Sequence, residues 1–255
     1  MRIQINGKKM KEAIDIVLMK GKWCSGNTAS NSSLGDAVIF EIGDECYLYN
    51  ANESTYIRRK FVPDTIESWG RFCIDSSILN KYLQNEACTI NTTEDSLQIR
   101  TANKTVSIPL MDRHPHNDNM LFVQSNLILD IDTMDLEDYQ EGIQVSPKTT
   151  LNTVVLVSVN ELNDSLKNCE KVGSSVYKLD YNDNTLLVSS ELDSQSVSID
   201  LEVEGSGQPA IMEFSAPLHK LVTNSLVLLA FNDESPICII SRDTIVLRAP
   251  RIGVE

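Results

Sequence analysis

Few residues in this chain have the types and spacing that catalysis or metal binding requires. Asp130-Ile131-Asp132 sets two carboxylates two positions apart, as a divalent-metal site would. No second acidic cluster supports the pair, so it reads as the polar positions of an alternating strand. His114 and His116 flank Pro115 with no carboxylate or cysteine at ligand spacing, and read as a solvated loop. The six cysteines, Cys24, Cys46, Cys73, Cys88, Cys169 and Cys238, are scattered and form no CxxC pair. They read as buried, reduced thiols rather than a disulfide framework or zinc site. Gly205-Ser206-Gly207 reads as a flexible turn between strands, not a phosphate-binding loop. No nucleophile elbow or metalloprotease motif occurs, so the expectation is a protein without catalytic residues, metal or cofactor, and not an enzyme.

The chemistry that does recur is cationic. Lys8, Lys9 and Lys11 lie on a first predicted helix, with Lys20 and Lys22 just beyond it; Lys81 lies on a second, Lys167 and Lys171 on a third, and Lys220 on a fourth. Each helix turns at least one cation away from its apolar face. Glu12, Asp15, Asp164 and Glu170 dilute the signal, and lysine on one solvated helix would mean only solubility. Its recurrence on four helices of repeated units points to a shared basic face suited to sequence-independent phosphate contact. The net charge of −14 argues against an evenly basic nucleic-acid binder, so the cations must be segregated from an acidic remainder.

The elements that carry these lysines repeat. A strand Arg2–Ile5, a helix from Lys8 to Met19 and strands Ala37–Ile42, Cys46–Asn50 and Tyr56–Val62 form the first unit. The second runs through strand Gly70–Ile74, an Asp75-Ser76 cap, a helix to about Gln84, and strands Cys88–Thr92, Ser96–Thr101 and Thr105–Leu110. The third has strand Val154–Val159, Asn160 as cap, a helix closed by Gly173, and strands Val176–Tyr181, Thr185–Ser190 and Val197–Glu202. The fourth has strand Ala210–Phe214, Ser215 as cap with Pro217 in the first helical turn, and strands Leu226–Phe231, Pro236–Ser241 and Thr244–Ala249. Strand–helix–three strands, four times over, predicts an α+β fold of two similar domains, each of two units sharing a sheet. The boundaries are 1–112, a connecting segment 113–152 in which the pattern is lost, and 153–255. No apolar run approaches membrane length and the N-terminus has no signal-peptide pattern, so an intracellular protein is expected.

Three segments then resemble the sliding clamps of the proliferating cell nuclear antigen family, as found in archaea and eukaryotes. Leu247-Arg248-Ala249-Pro250-Arg251-Ile252 is similar to that family's C-terminal strand and tail. Met134-Asp-Leu-Glu-Asp-Tyr-Gln-Glu-Gly142-Ile143 resembles its interdomain connecting loop. Asn160-Glu-Leu through Lys171-Val-Gly173 resembles the first helix of its second domain. Ser235-Pro236 matches a further landmark. The resemblance covers nearly the whole chain. It implies a closed homotrimeric ring, helices lining the hole and sheets outside, threaded on double-stranded DNA and opened by an ATP-dependent clamp loader. By this resemblance Lys8, Lys11, Lys81, Lys167, Lys171 and Lys220 face DNA. Gly142, Ile143, Pro236, Leu247, Ala249 and Pro250 dock the short motifs of DNA polymerase and other clamp-binding proteins. The subunit interface falls on Thr105, Val106, Ile108 and Leu110 of one chain against Val197, Ile199 and Leu201 of the next, because ring closure removes exposed strand edges. Charge reversal or proline at Ile108 is expected to give monomers.

Two positions depart from the pattern: Glu141 stands where an aliphatic pocket residue is usual, and Leu247 where an aromatic is common. Residues 113–126 look like an insertion, which suits a divergent viral or archaeal member. Acting on DNA, such a protein works in the cytoplasm of a prokaryote, or in a nucleus or viral replication site. The alternatives are a subunit of a heterotrimeric replicative or checkpoint clamp, a metal-dependent enzyme using the Asp130 and Asp132 carboxylates, and an acidic scaffold that never touches DNA.

Overall fold

The computed structural model describes residues 1–18, 37–51, 55–111, 124–128, 134–174, 176–215 and 226–251. The chain divides into two compact units, one built on Met1–Lys20 and Asn27–Ser125, the other on Asn126–Glu255. Among the described residues no helix is long and apolar enough to cross a membrane. Cys24, Lys20, Lys22, His114, His116, Asp130, Asp132, Pro217 and Lys220 lie outside the described residues.

The first unit opens with β1 (Arg2–Asn6), whose Ile3 and Ile5 are buried. Asn6 ends the strand and caps α1 (Gly7–Val17), its side-chain oxygen accepting the Lys8 N–H at 2.9 Å. Met10, Ala13, Ile14 and Val17 form the buried stripe of α1 at helical spacing. Strands β2 (Ala37–Ile42), β3 (Cys46–Ala51), β4 (Thr55–Phe61), β5 (Thr65–Ser68) and β6 (Gly70–Asp75) follow. Asp75 then caps α2 (Ser76–Tyr82), accepting from the N–H groups of Ser77 at 2.8 Å and Ile78 at 3.2 Å. Strands β7 (Ala87–Thr92), β8 (Ser96–Arg100) and β9 (Thr105–Pro109) complete the unit.

These strands make two sheet layers, not one shared sheet. One runs β5-β1-β7-β8-β9; the other contains β4-β3-β2-β6 in that order. The two repeats therefore exchange opening strands: β1 of the first pairs with β7 of the second, and β6 of the second pairs with β2 of the first. Phe40 stacks on Phe72 with ring centroids 4.6 Å apart and meets Phe61 edge-on, tying β2, β4 and β6 into the core.

The second unit begins with structure where the sequence pattern was expected to lapse. A 3-10 turn at Leu136–Tyr139 is followed by a hairpin of β10 (Ile143–Ser146) and β11 (Thr149–Leu151). Then come β12 (Thr153–Ser158), α3 (Val159–Glu170), β13 (Val176–Asn182), β14 (Thr185–Leu192) and β15 (Gln195–Glu202). Ser158, not Asn160, is the N-cap of α3, because the extended backbone ends there (φ −66°, ψ 126°) and the first turn already includes Asn160. Gly173 follows the helix at φ +82°, the left-handed conformation a C-terminal glycine supplies. Gly205 and Ser206, expected with Gly207 as a flexible turn, lie instead in β16 (Glu204–Ser206), antiparallel to β12. β17 (Ala210–Ser215), β18 (Leu226–Phe231), β19 (Ile237–Ile240) and β20 (Thr244–Arg248) follow. Ser215 ends β17; the helix expected after it lies outside the described residues. The sheets run β15-β14-β13-β17 and β16-β12-β18-β19-β20. The same exchange recurs, with β12 on β18 and β17 on β13.

Candidate nucleic-acid interface and docking surfaces

The buried stripe of α1 forces Lys8, Lys9 and Lys11 to its other faces. Lys8 pairs loosely with Glu12 at 3.9 Å and Lys9 with Asp64 at 3.6 Å. Lys11 is half-buried with no ion-pair partner among the described residues. Asn80 of α2 donates to Asp15 of α1 at 3.2 Å, so the two helices lie side by side, with Lys81 exposed in the last turn of α2. The helical layer of this unit thus mixes Lys8, Lys11 and Lys81 with Glu12 and Asp15. On α3, Lys167 pairs with Asp164 at 3.1 Å, and Lys171, just past the helix end, donates to Asn168 Oδ1 at 2.6 Å. The carboxylate partners Glu12, Asp64 and Asp164 are all exposed. Such pairs contribute about 0–1 kcal/mol, so a phosphate can displace the carboxylate at little cost.

The residues expected to dock partner motifs fall in two places. Gly142 adopts φ +85°, and a Cβ there would meet the Leu151 carbonyl oxygen at 2.5 Å, so the turn into β10 needs glycine. Ile143 is buried in the core of its own unit, and Asn232 ties the hairpin to β18 by accepting the Asn152 N–H at 2.7 Å and donating to the Thr150 carbonyl at 2.8 Å. The 3-10 turn carrying Glu137 and Tyr139 packs on β12 and β16. Leu247, Ala249, Pro250 and Pro236 gather instead at the β19–β20 end. There Cys238 opposes Leu247 and Ile237 opposes Arg248, which sets Pro236 beside Ala249. Leu247, Pro236 and Pro250 are half-buried and Ala249 is exposed.

What aims this end is a residue that composition hides. Arg248 is 2% exposed and its Nη2 donates to the Ser215 carbonyl, pinning the end of β20 to the end of β17. The Arg251 N–H then bonds the Glu213 carbonyl at 2.8 Å, laying the start of the tail along β17. A cation read from sequence is assumed to be solvated; only packing reveals a buried one.

The predicted interface strands are both sheet edges. Among the described residues β9 has β8 on one side only, and β15 has β14 on one side only. Their backbone orientation follows from the turns. The Thr101 N–H bonds the Lys104 carbonyl at 2.8 Å and the Leu110 N–H bonds the Asp95 carbonyl at 3.1 Å. Bonded pairs alternate in an antiparallel ladder, so Val106 and Ile108 bond to β8, while Thr105, Ser107 and the Pro109 carbonyl face outward. On β15 the Val203 N–H bonds the Asn184 carbonyl at 2.9 Å, which turns Leu201, Ile199 and Val197 toward β14 and leaves Ser196, Ser198 and Asp200 facing outward. Ile108 is 2% exposed, packed in its own core. Substituting it tests folding, not association, and the probe belongs at Ser107 instead. Leu201 is also buried, whereas Val106, Val197 and Ile199 are half-covered apolar groups at the two edges, and Leu110 is a half-buried residue just past β9.

The thiols and the 113–126 segment complete the picture. The five described cysteines are buried thiols outside any disulfide, and burial pushes the Cys88 thiol up to about 11, far from a nucleophile's range. At the end of the segment, Gln124 donates to Glu41 at 3.2 Å and accepts from Arg71 at 3.2 Å, on the β2–β6 face opposite Phe40. Tyr49 also donates to Glu41, and burial together with that carboxylate holds its hydroxyl well above the usual phenol range.

No family model matches the sequence, and no curated protein matches it. Solved structures do match the fold. A. fulgidus PCNA, solved with the C-terminal region of FEN-1 bound, superposes with a TM-score of 0.68 over 100% of this chain and 99% of that one, at 13% identity. The chain has the sliding-clamp fold. A DNA polymerase III beta subunit from Eubacterium rectale gives a TM-score of 0.74 at 12% identity, covering 99% of this chain and 66% of that one. The DNA polymerase sliding clamp from Bacillus subtilis gives 0.72 at 16% identity, covering 99% and 64%. The chain therefore spans somewhat less than two thirds of the bacterial clamps' length, and the full length of the archaeal one. The α+β architecture expected from the repeats is the clamp architecture.

Proposed function

We propose that the protein is a DNA sliding clamp: a ring that encircles duplex DNA and tethers polymerase and other replication or repair enzymes, without catalysing a reaction itself. The observation that carries this reading is the clamp fold running the full length of both this chain and the archaeal clamp. The domain division at 1–112, 113–152 and 153–255 belongs to the same reading. Lys8, Lys11, Lys81, Lys167, Lys171 and Lys220 supply mobile phosphate contacts in the hole. Weak contacts suffice, because encirclement rather than affinity retains the protein on DNA, and this tolerates a net charge of −14. Partner motifs dock at Pro236, Leu247, Ala249 and Pro250, with Gly142 and Ile143 holding the loop above them. Neighbouring chains join β9 to β15, and an ATP-driven loader opens the ring. The site of action is wherever the cell or virus replicates DNA.

The test is retention on DNA. Loaded on a nicked circle, the protein should stay bound and stimulate its polymerase, and linearising the circle should release it. Lys167→Glu with Lys171→Glu should leave the native mass unchanged. It should lower direct binding to short duplexes, flattening the slope of log affinity against log salt by about one for each lysine. Unchanged binding and polymerase stimulation in that variant would sink the DNA-facing assignment.

A further inference from the structure

The described helices are not basic. Over Gly7–Val17, Ser76–Tyr82 and Val159–Glu170, α1, α2 and α3 carry five lysines and five carboxylates. A surface that held phosphate by charge alone would keep the cations and omit the acids. The inference that follows rests on the clamp reading and concerns those acids. We infer that Glu12, Asp15 and Asp164 are built-in competitors of DNA phosphate. Glu12 and Asp164 occupy DNA-facing lysines, Asp15 opposes phosphate beside them, and contact with the duplex is kept weak and brief.

Stability does not account for these charges. In α1 the cations Lys8 and Lys9 stand in the first turn, which holds no acid, and Asp15 stands in the last turn, which holds no base. The helix dipole favours the opposite order, so the arrangement works against the helix. The Lys8–Glu12 pair at 3.9 Å and the Lys167–Asp164 pair at 3.1 Å are both exposed, and exposed pairs add little to a fold. Asp15 accepts from Asn80 Nδ2 at 3.2 Å, linking α1 to α2. A neutral amide oxygen would accept that bond as well, so the link does not need the charge.

The acids stand where phosphate would. The buried stripe of α1 runs through Met10, Ala13, Ile14 and Val17. Lys8, Glu12 and Asp15, spaced by four and by three, therefore share an outward stripe. Phosphate reaching Lys8 must displace Glu12. Asp15, bonded to the residue before Lys81, sets a negative charge beside the turn that carries that exposed lysine. On α3, Asp164 occupies Lys167, whereas Lys171 is held by a neutral partner, Asn168. A tethered carboxylate competes at a high effective concentration. Phosphate must displace it at each step along the duplex, and the lysine returns to it at each release. Encirclement would then retain the protein while the lysines stay exchangeable.

Neutral substitutions of the same shape isolate the charge. Glu12→Gln, Asp15→Asn and Asp164→Asn each keep a hydrogen-bond acceptor. Combined in the full chain, they should bind a fluorescently labelled short duplex about tenfold more tightly at low salt, roughly threefold or less for each carboxylate. The gain should shrink as salt rises, and the slope of log affinity against log salt should steepen by about one for each of Lys8 and Lys167 released to phosphate. Native mass and the urea midpoint should not move, as they would if the acids served the fold. Asp164→Asn should gain nothing in a Lys167→Ala background, where no lysine is left to release. A triple variant that binds duplex no more tightly than wild type, or a gain from Asp164→Asn that persists without Lys167, would overturn the inference. If Lys167→Glu with Lys171→Glu lowers binding while the triple variant leaves it unchanged, the inference fails and the DNA-facing assignment stands. If neither changes binding, the DNA-facing assignment itself fails.

Discussion

Arg248 and Cys88 illustrate how burial changes what a residue does. Arg248 would be counted among surface cations from composition, yet its guanidinium is enclosed and bonded to the Ser215 carbonyl. Arg248→Ala should therefore destabilise the protein by about 1–3 kcal/mol, since it empties a filled site and strands a carbonyl. Urea unfolding measures this, and a surface-like change under 0.5 kcal/mol would show the contact to be dispensable. The same substitution should weaken partner-peptide binding, because it frees the end of β20 that aims Leu247 and Ala249. Cys88 has its thiol raised from 9.0 to about 11, first by desolvation and then by Glu86 and Asp64. Its folded value lies above its unfolded one, so the neutral thiol's contribution is fully present below pH 9.0 and is lost as pH rises toward about 11. Unfolding midpoints should fall across that window and fall less in Cys88→Val. Equal slopes in the two proteins would remove the thiol as the cause.

Strands and helices set which substitutions report on association and which on folding. Along β9 the two sides of the backbone have different employment: Val106 and Ile108 hold β8, and Thr105 and Ser107 pair with no other strand among the described residues. Ser107→Pro removes an outward N–H while leaving the inner ladder intact, a substitution an edge strand tolerates. It should block association with little loss of stability. Proline at Ile108 would break the inner ladder and the core together, and a monomer obtained that way would be uninformative. Helix α3 shows the same division, with Leu162, Leu166 and Cys169 buried and Lys167 outward. Reversing Lys167 should therefore alter DNA contact without altering the fold.

Assembly is where the edges, the helices and the acidic total come together. If copies join β9 to β15, the wild type should sediment near three times 28.4 kDa, and Ser107→Pro near 28.4 kDa. A wild-type mass unaffected by Ser107→Pro would show that copies associate through another surface. The lysines of α1, α2 and α3 would line the interior, and the excess of Asp and Glu would stand on the exterior, where it discourages DNA from binding outside the hole. Higher salt should weaken the lysine–phosphate contacts.

Much of this was legible in the chain before its structure. Hydrophobic alternation and helical spacing marked the described strands of all four repeats to within a few residues, because one buried face imposes a period that local sequence must keep. Asp75 as a cap and Gly173 as a helix terminator were equally local and equally visible. What escaped were features with no local signature. β5, β10, β11 and β16 are three or four residues long, and form because a neighbour offers a ladder. The exchange of opening strands between repeats is invisible to periodicity, since β1 alternates identically whether it pairs with β2 or β7. The position of α3's cap was decided by where β12 releases the chain, not by Asn160. Arg248's burial and the outward aim of Ser107 depend on which strand lies alongside. Side-chain periodicity records that a residue has an inside and an outside; which strand lies beside it depends on contacts between residues far apart in the chain, and those exist only once the chain has folded.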